Sequence, residues 1–186
     1  MTAVLTRRSI HTLRDPAPSD REFTYLLKCA AAAPDHGRLR PWRWVLLRDA
    51  ELEALGARLA ADAEPGERAR VAQGARRAPL KAVLIFCPLT DHKVPEWEQL
   101  AAASSVAYGL MLLLHARGFG SMWRTGRLCR SPAARDLLGV GPAERLLGAL
   151  DIGTSDSSER PVRRSVGDVA DRVRRLGPLA VTGPVA

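Results

Sequence analysis

Residues 95–118 read PEWEQLAAASSVAYGLMLLLHARG. Pro95 opens the run, no proline interrupts it and Gly118 follows its last turn, which predicts one helix from Pro95 to Arg117. At ~1.5 Å per residue that helix is ~34 Å long, about the diameter of a small domain. Val106 to Leu114 is apolar on almost every side, so the helix is expected to be buried all round. A chain of 186 residues supplies one domain, residues 1–186, and one small domain can hardly cover such a helix completely. The expectation is therefore packing against a second copy of the chain. The apolar stretch falls well short of the ~18 unbroken residues a bilayer span needs, which excludes a membrane protein.

Outward from this helix, Leu80 to Cys87 is a nearly continuous apolar run between prolines, the pattern of a central buried strand. Trp42 to Leu47 alternates and predicts a second strand. Leu52–Ala61 and Glu67–Arg77 read as helices separated by Pro65-Gly66. Ser19-Asp20-Arg21-Glu22 is a capping box, followed by Phe23, Leu26, Leu27 and Ala30 at helical spacing and stopped by Pro34. On the C-terminal side, Gly120–Trp123 is a short strand. Ser131-Pro132 opens a helix through Leu138, and Arg145–Ile152 is a strand closed by Gly153-Thr154. Residues from about 155 to 164 read as a basic surface arm. Val166, Val169, Ala170, Val173 and Leu176 predict a short amphipathic helix capped by Ser165, before a disordered end. There is no regular βαβ repeat and no GxGxxG turn, so the fold class is α+β, a mixed sheet layered with helices, rather than a Rossmann domain.

Lys and Arg total 28 against 20 acids, a net charge of +8, and only Lys28, Lys81 and Lys93 are lysines. Arginine clamps phosphates and carboxylates bidentately, although an Arg-, Ala- and Gly-rich composition also follows from a GC-rich genome. Cys29, Cys87 and Cys129 form an odd, widely spaced set without a CxxC pair, which points to neither a zinc site nor a disulfide framework. Cys29 and Cys87 read as small core residues, and a reducing cytoplasm as the compartment. Thr6-Arg7-Arg8-Ser9 resembles the start of a twin-arginine signal, but Arg14, Asp15 and Pro16 stand where an apolar stretch must follow.

Four segments combine cations, small residues and aromatics at loop positions. Arg7-Arg8-Ser9 brings two guanidiniums and a hydroxyl to a helix end, a combination suited to a phosphate dianion. In residues 33–42, APDHGRLRPW, two prolines bracket His36 and Arg40 between a helix end and a strand start; Trp42 there reads as core. Asp91-His92 lacks other ligands at zinc spacing, so no metal site is expected, and Trp97 could line a pocket for flat molecules. Residues 118–126, GFGSMWRTG, let backbone approach a ligand closely beside Trp123, Arg124 and Thr125. Each segment also has a plain reading as a solvated turn or a tight connection. No nucleophile or proton-transfer constellation accompanies them, which points to a cofactor that brings its own reactivity.

Taken in order, these segments resemble the FMN-dependent nitroreductase family, in its small bacterial subgroup of NAD(P)H nitroreductases, over residues 4 to 154. The carriers are Arg7-Arg8-Ser9; Ala33-Pro34-Asp35-His36 with Arg40-Pro41-Trp42; His92-Lys93-Val94-Pro95 with Trp97-Glu98-Gln99; Gly118-Phe119-Gly120 with Trp123-Arg124-Thr125-Gly126; and Gly153-Thr154. The resemblance implies a mainly antiparallel sheet flanked by helices, a long central dimer helix, and a homodimer with two FMN sites at its interface, built from both chains. It implies that Arg7, Arg8 and Ser9 hold the phosphate and ribityl end, that His36 and Arg40 belong to the loop beside the flavin, and that Trp123, Arg124 and Thr125 line the cofactor from the other side. Two positions depart from the family pattern. His11 stands where relatives often carry Lys or Arg near flavin N1, and Arg40 stands where many have Gln.

The implied activity is a ping-pong oxidoreductase. NAD(P)H would pass hydride to flavin N5, and an electron-poor acceptor such as a nitroaromatic or a quinone would then take its place. A rival within the fold is another flavin reaction, such as reductive dehalogenation or flavin fragmentation. A rival from another class is a basic nucleic-acid-binding module. Scattered arginines and the lack of a helix-turn-helix, RNP or zinc-finger pattern argue against that module.

Overall fold

The computed structural model describes residues 2–155 and 165–176. Twelve elements organise the chain among these residues: α1 (Thr2–Thr6), β1 (Leu13–Arg14), α2 (Asp20–Ala30), β2 (Trp42–Leu47), α3 (Asp49–Ala61), α4 (Arg68–Ala75), β3 (Leu80–Phe86), α5 (Glu96–Ala116), β4 (Gly120–Arg124), α6 (Arg127–Arg130), α7 (Pro132–Leu137) and β5 (Arg145–Ser155). β3 lies between β2 and β5, and β4 and β1 also pair with β5, every ladder being antiparallel. The α+β expectation holds.

β3 is buried along its whole length, as a run without alternation requires. One face of the sheet meets α2 and α5, where Phe23, Leu26, Leu80, Leu110, Leu114 and Ile152 form one core. Phe23 adds an edge-to-face contact with Trp44 at 5.9 Å between ring centroids. The other face meets α3 and α7 through Leu52, Leu55, Val83, Ile85, Ala134 and Leu138. Alternation along each strand therefore sends side chains to two separate helical layers.

Two caps form as predicted. Glu22 N donates to Ser19 Oγ at 3.2 Å, and Ala134 N donates to Ser131 Oγ at 3.0 Å. The reciprocal half of the Ser19 box is not made, because the Glu22 carboxylate instead accepts from Arg117 at 3.0 Å, tying the start of α2 to the end of α5.

Several expectations are corrected. Cys29 is exposed on the outer side of α2, and Cys87 is only half-buried. Within one chain α5 is covered on one side, leaving open the part that the sequence reading assigns to a second copy: Val106, Ala107, Leu110, Met111 and Leu114 are buried, whereas Tyr108 is 46% exposed and Ala101 and Ser105 share its open side. Its length and composition would suffice for a bilayer crossing, yet the packing of its inner face on α2 and the sheet is that of a core helix. β5 continues past Gly153-Thr154 to Ser155 because β1 pairs with its last residues. The helix expected over 165–176 is a single 3₁₀ turn, Ala170–Arg172, with Val166, Val169, Val173 and Leu176 all exposed among the described residues. The arm over 156–164 and the end of the chain from 177 lie outside the described residues.

Candidate functional site

The first predicted segment lies where three elements converge. α1 ends at Thr6, so Arg7-Arg8-Ser9 does occupy a helix end, and the chain then runs beside β4, with Ser9 bridged to Ser121 and Ile10 N donating to Ser121 O at 3.3 Å. α1 is also fastened to α5 by a 2.7 Å hydrogen bond between Thr6 Oγ1 and His115 Nε2. Burial, and then the nearby Arg7 charge, lower the His115 pKa from its ordinary value. Two polar atoms are stranded in this corner. Arg7 Nη1 and Ser121 Oγ are both buried and have no hydrogen-bond partner. A buried donor without an acceptor costs roughly 1–3 kcal/mol, so this corner suits a ligand rich in acceptor oxygens. The Arg8 guanidinium folds back toward Leu5 O and Arg7 O, at 3.2 and 3.4 Å, and Ser9 is exposed.

The fourth segment sits at the far end of β4. Trp123 faces the α5 layer, and its Nε1 donates to Leu147 O at 3.0 Å. This close approach depends on Gly148, whose φ is +119° and where a Cβ would meet Arg124 O at 2.3 Å and Trp123 Nε1 at 2.7 Å. Arg124, one residue on, points to the opposite face. There it donates through Nε to Asp151, which also accepts from Lys81 Nζ. Asp151 is 1% exposed and Lys81 5%, so this is a charged cluster inside the α3/α4 layer, and Arg124 Nη2 remains buried without a partner. Thr125 is exposed at the strand end.

The second segment lies at the other end of α5. His36 Nδ1 is 2.5 Å from Glu98 Oε2, with the imidazole 76% exposed. The loop is set by Asp35, whose carboxylate accepts from the backbone N–H of Leu39 and of Arg40 at 3.2 and 2.8 Å. Arg38 and Arg40 take positive φ values there, +52° and +48°, and the Arg40 side chain is exposed. Glu98 and His115 are seventeen residues apart on α5, about 26 Å at the helical rise. One chain therefore does not bring His36 and Arg40 together with Arg7. Of the remaining candidates, His11 and Trp97 are exposed and His92 Nδ1 accepts from Val94 N at 3.1 Å. No group of three metal-ligating side chains occurs among the described residues.

Sequence reading missed four residues that complete these surroundings: Ser121, His115, Lys81 and Asp151. Lys81 and Asp151 carried a usable signal, since each is a charge set within an apolar stretch of its strand and must find a partner when buried. They prove to be directly opposite on β3 and β5. Ser121 and His115 sit in local patterns that any strand or helix end could show.

Known proteins resemble the chain along its length. The nitroreductase family profile matches residues 4–154. Two relatives are "Putative NAD(P)H nitroreductase YdjA" of Escherichia coli strain K12, 32% identical over 81% of this chain and 85% of that one, and a "Putative NAD(P)H nitroreductase" of Haemophilus influenzae, 32% identical over 95% and 98%. Among solved structures, a nitroreductase-like family protein from Bacillus cereus superposes with a TM-score of 0.82 at 23% identity, covering 95% of both chains. The FMN and NADPH-dependent nitroreductase NfnB from sphigopyxis sp. strain HMH gives 0.71 at 21% identity, over 95% of this chain and 98% of that one. With its long central helix, antiparallel sheet and match across residues 4–154, the chain belongs to the nitroreductase family.

Proposed function

We propose that the chain is an FMN-dependent oxidoreductase that takes electrons from NAD(P)H and delivers them to flat, electron-poor acceptors such as nitroaromatics or quinones, with Arg7 as its principal phosphate clamp. Membership of the family makes it a flavin-dependent oxidoreductase with NAD(P)H as donor. The observation that carries the rest is the pair of buried, unpartnered atoms, Arg7 Nη1 and Ser121 Oγ, on neighbouring segments. Phosphate and ribityl oxygens are the acceptors such a corner lacks, so the residues present fit the cofactor.

In this reading Arg7 supplies the charge and Ser121 a hydroxyl, while Ser9 and Arg8 close the corner from the solvent side. Arg8 must swing off its own backbone carbonyls to do so. Bound FMN supplies the redox chemistry, accepting two electrons and returning them, which explains why no protein acid or base stands out. The other half of the site comes from a second copy. Two α5 helices packed antiparallel through their open sides would lay the His36–Arg40 loop of one chain beside the Arg7 corner of the other. The exposed Ala101–Ser105–Tyr108 stripe lies where such packing needs it. His36, held by Glu98, and Arg40 would then meet the cofactor from across the interface, with Trp123 and Thr125 bounding it along β4, while the Arg124 side chain, turned to the opposite face onto Asp151, takes no part.

The deciding experiment is the visible spectrum of the purified protein, alone and after soaking with excess FMN. Absorbance near ~450 nm that is bleached by NADH or NADPH and restored by an acceptor is the expected result. A protein that retains no flavin after soaking refutes the proposal. Turnover confined to halogenated acceptors, or loss of the flavin itself during turnover, replaces the nitroaromatic or quinone reading with the corresponding reaction.

A further inference from the structure

A second feature lies on the sheet face opposite the Arg7 corner. Between α3, α4 and the ends of β4 and β5 there is a cavity of about 260 Å³. Its apolar wall comes from Leu55, Leu59, Val71 and Leu128, with Ala149 on the strand. Five cationic side chains surround this wall: Arg70, Arg77, Lys81, Arg124 and Arg127. Among the described residues two carboxylates serve them, each shared. Asp151 accepts from Lys81 and Arg124, and Glu67 accepts from Arg70 and Arg127. Arg77 has no carboxylate partner among the described residues, and Arg124 Nη2 is buried without an acceptor.

This arrangement is not that of a solvated basic surface. Asp151 is buried and grips both Lys81 and the Nε side of Arg124. It therefore fixes the guanidinium plane and leaves Nη2 as a donor still to be used. A guanidinium with an unsatisfied, desolvated N–H is complementary to an oxyanion. The remaining wall is hydrocarbon, which excludes a bare inorganic anion as the best fit and favours an anion with an apolar body. The volume lies just below the range of drug-sized ligand pockets and suits a single ring.

We propose that this cavity binds a small aromatic carboxylate, with Arg124 as its recognition donor, Arg77 as the outer cation and Asp151 as the residue that positions Arg124. The site is separate from the phosphate corner, because Arg7 lies on the α5 side of the sheet beside His115, whereas Lys81 and Arg124 face α3 and α4.

The test is calorimetric titration of the FMN-saturated protein with benzoate and, in parallel, with neutral benzamide. Benzoate is expected to bind at least tenfold tighter than benzamide, and its affinity should fall with added salt. Arg77→Ala, an exposed substitution, should weaken benzoate about tenfold and leave benzamide unchanged. Asp151→Asn should weaken benzoate at least as much. Should that variant fail to fold, Arg77→Ala decides the matter alone. Equal affinity for acid and amide, or indifference to Arg77→Ala, overturns the assignment. Benzoate binding to flavin-free protein that FMN abolishes also overturns it, by making the cavity part of the cofactor's seat. A protein that takes up no flavin but binds benzoate would refute the proposed function and leave this inference standing.

Discussion

The two ends of α5 differ in how they are built. At its C-terminal end the helix is embedded: His115 holds Thr6, Arg117 holds Glu22, and Arg7 and Ser121 bury donors that nothing accepts. At its N-terminal end it is open, with Trp97 69% exposed and His36 reaching Glu98 from an exposed loop. A self-contained site would have finished both partners of each contact at one place. Here one end has buried polar atoms without a protein partner, and the other has polar side chains without a wall. On the proposed reading the two are complementary halves some 26 Å apart by helical rise, and the exposed stripe between them would join two chains so that unlike ends meet.

The strongest way to break this picture is to charge the stripe. Tyr108→Glu places a carboxylate in the middle of the face through which two α5 helices would pack, while leaving the buried side of the helix intact. The expected result is a folded monomer by light scattering with far-ultraviolet circular dichroism preserved. Its FMN affinity should fall a hundredfold or more, about 2.7 kcal/mol, because each cofactor loses a whole half of its surroundings. A dimer that keeps its flavin would refute the antiparallel packing.

The next test removes the embedded end's donor. Arg7→Ala should weaken FMN by roughly ten- to a hundredfold, the value of one charge-assisted contact of ~1.5–3 kcal/mol, without changing the oligomeric state. Fluorescence titration measures it, and the corresponding loss for riboflavin, which has no phosphate, should be slight. Equal losses for both ligands would move Arg7 from the phosphate to some other part of the cofactor.

At the open end, His36→Ala removes a side chain that is 76% exposed and one exposed hydrogen bond. Such a contact contributes on the order of 0.5–1 kcal/mol, so FMN affinity should drop only a few-fold and the melting temperature should not move. A loss as large as that of Arg7→Ala would mean that the open end is as strongly committed as the embedded one.

The same contrast separates what is legible in the amino-acid sequence from what is not. α5, β3 and the cap at Ser19 declared themselves, because a long unbroken apolar run, a short one between prolines, and a hydroxyl three residues before a carboxylate are local signals. α1 and β1 did not, since five and two residues are too short to show a period. The helix expected over 165–176 had the period, but its apolar residues stay exposed among the described residues, and periodicity without packing forms little. Of the candidate site, the loops carrying Arg7, His36 and Arg124 were visible as segments. What each touches was not. Asp151 meets Lys81 through a pairing seventy residues apart in sequence, and His115 meets Thr6 across a gap of 109. Contacts of that kind are set by topology, which leaves no local trace.

The smallest effect expected is one of pH, and it bears on whether the embedded corner is built for an anion. Burial and the Arg7 charge keep the His115 imidazole below its ordinary pKa. In the unfolded chain the same group titrates normally, near 6.5. The unfolded state therefore binds the extra proton first as pH falls, so this histidine lowers stability progressively below pH ~6.5, until the folded form is protonated too. An anion beside Arg7 offsets the second of the two causes and leaves the first, so the imidazole pKa should rise when the phosphate binds. Proton uptake by His115 must then accompany binding, and the His115 contribution to FMN affinity should increase as pH falls from 7.5 toward 6. His115→Gln should abolish this slope and retain most of the affinity. Calorimetry in two buffers of different ionisation enthalpy reads the proton directly: more uptake in the native protein than in the variant places the phosphate next to Arg7, whereas equal exchange in both separates the anion from this histidine.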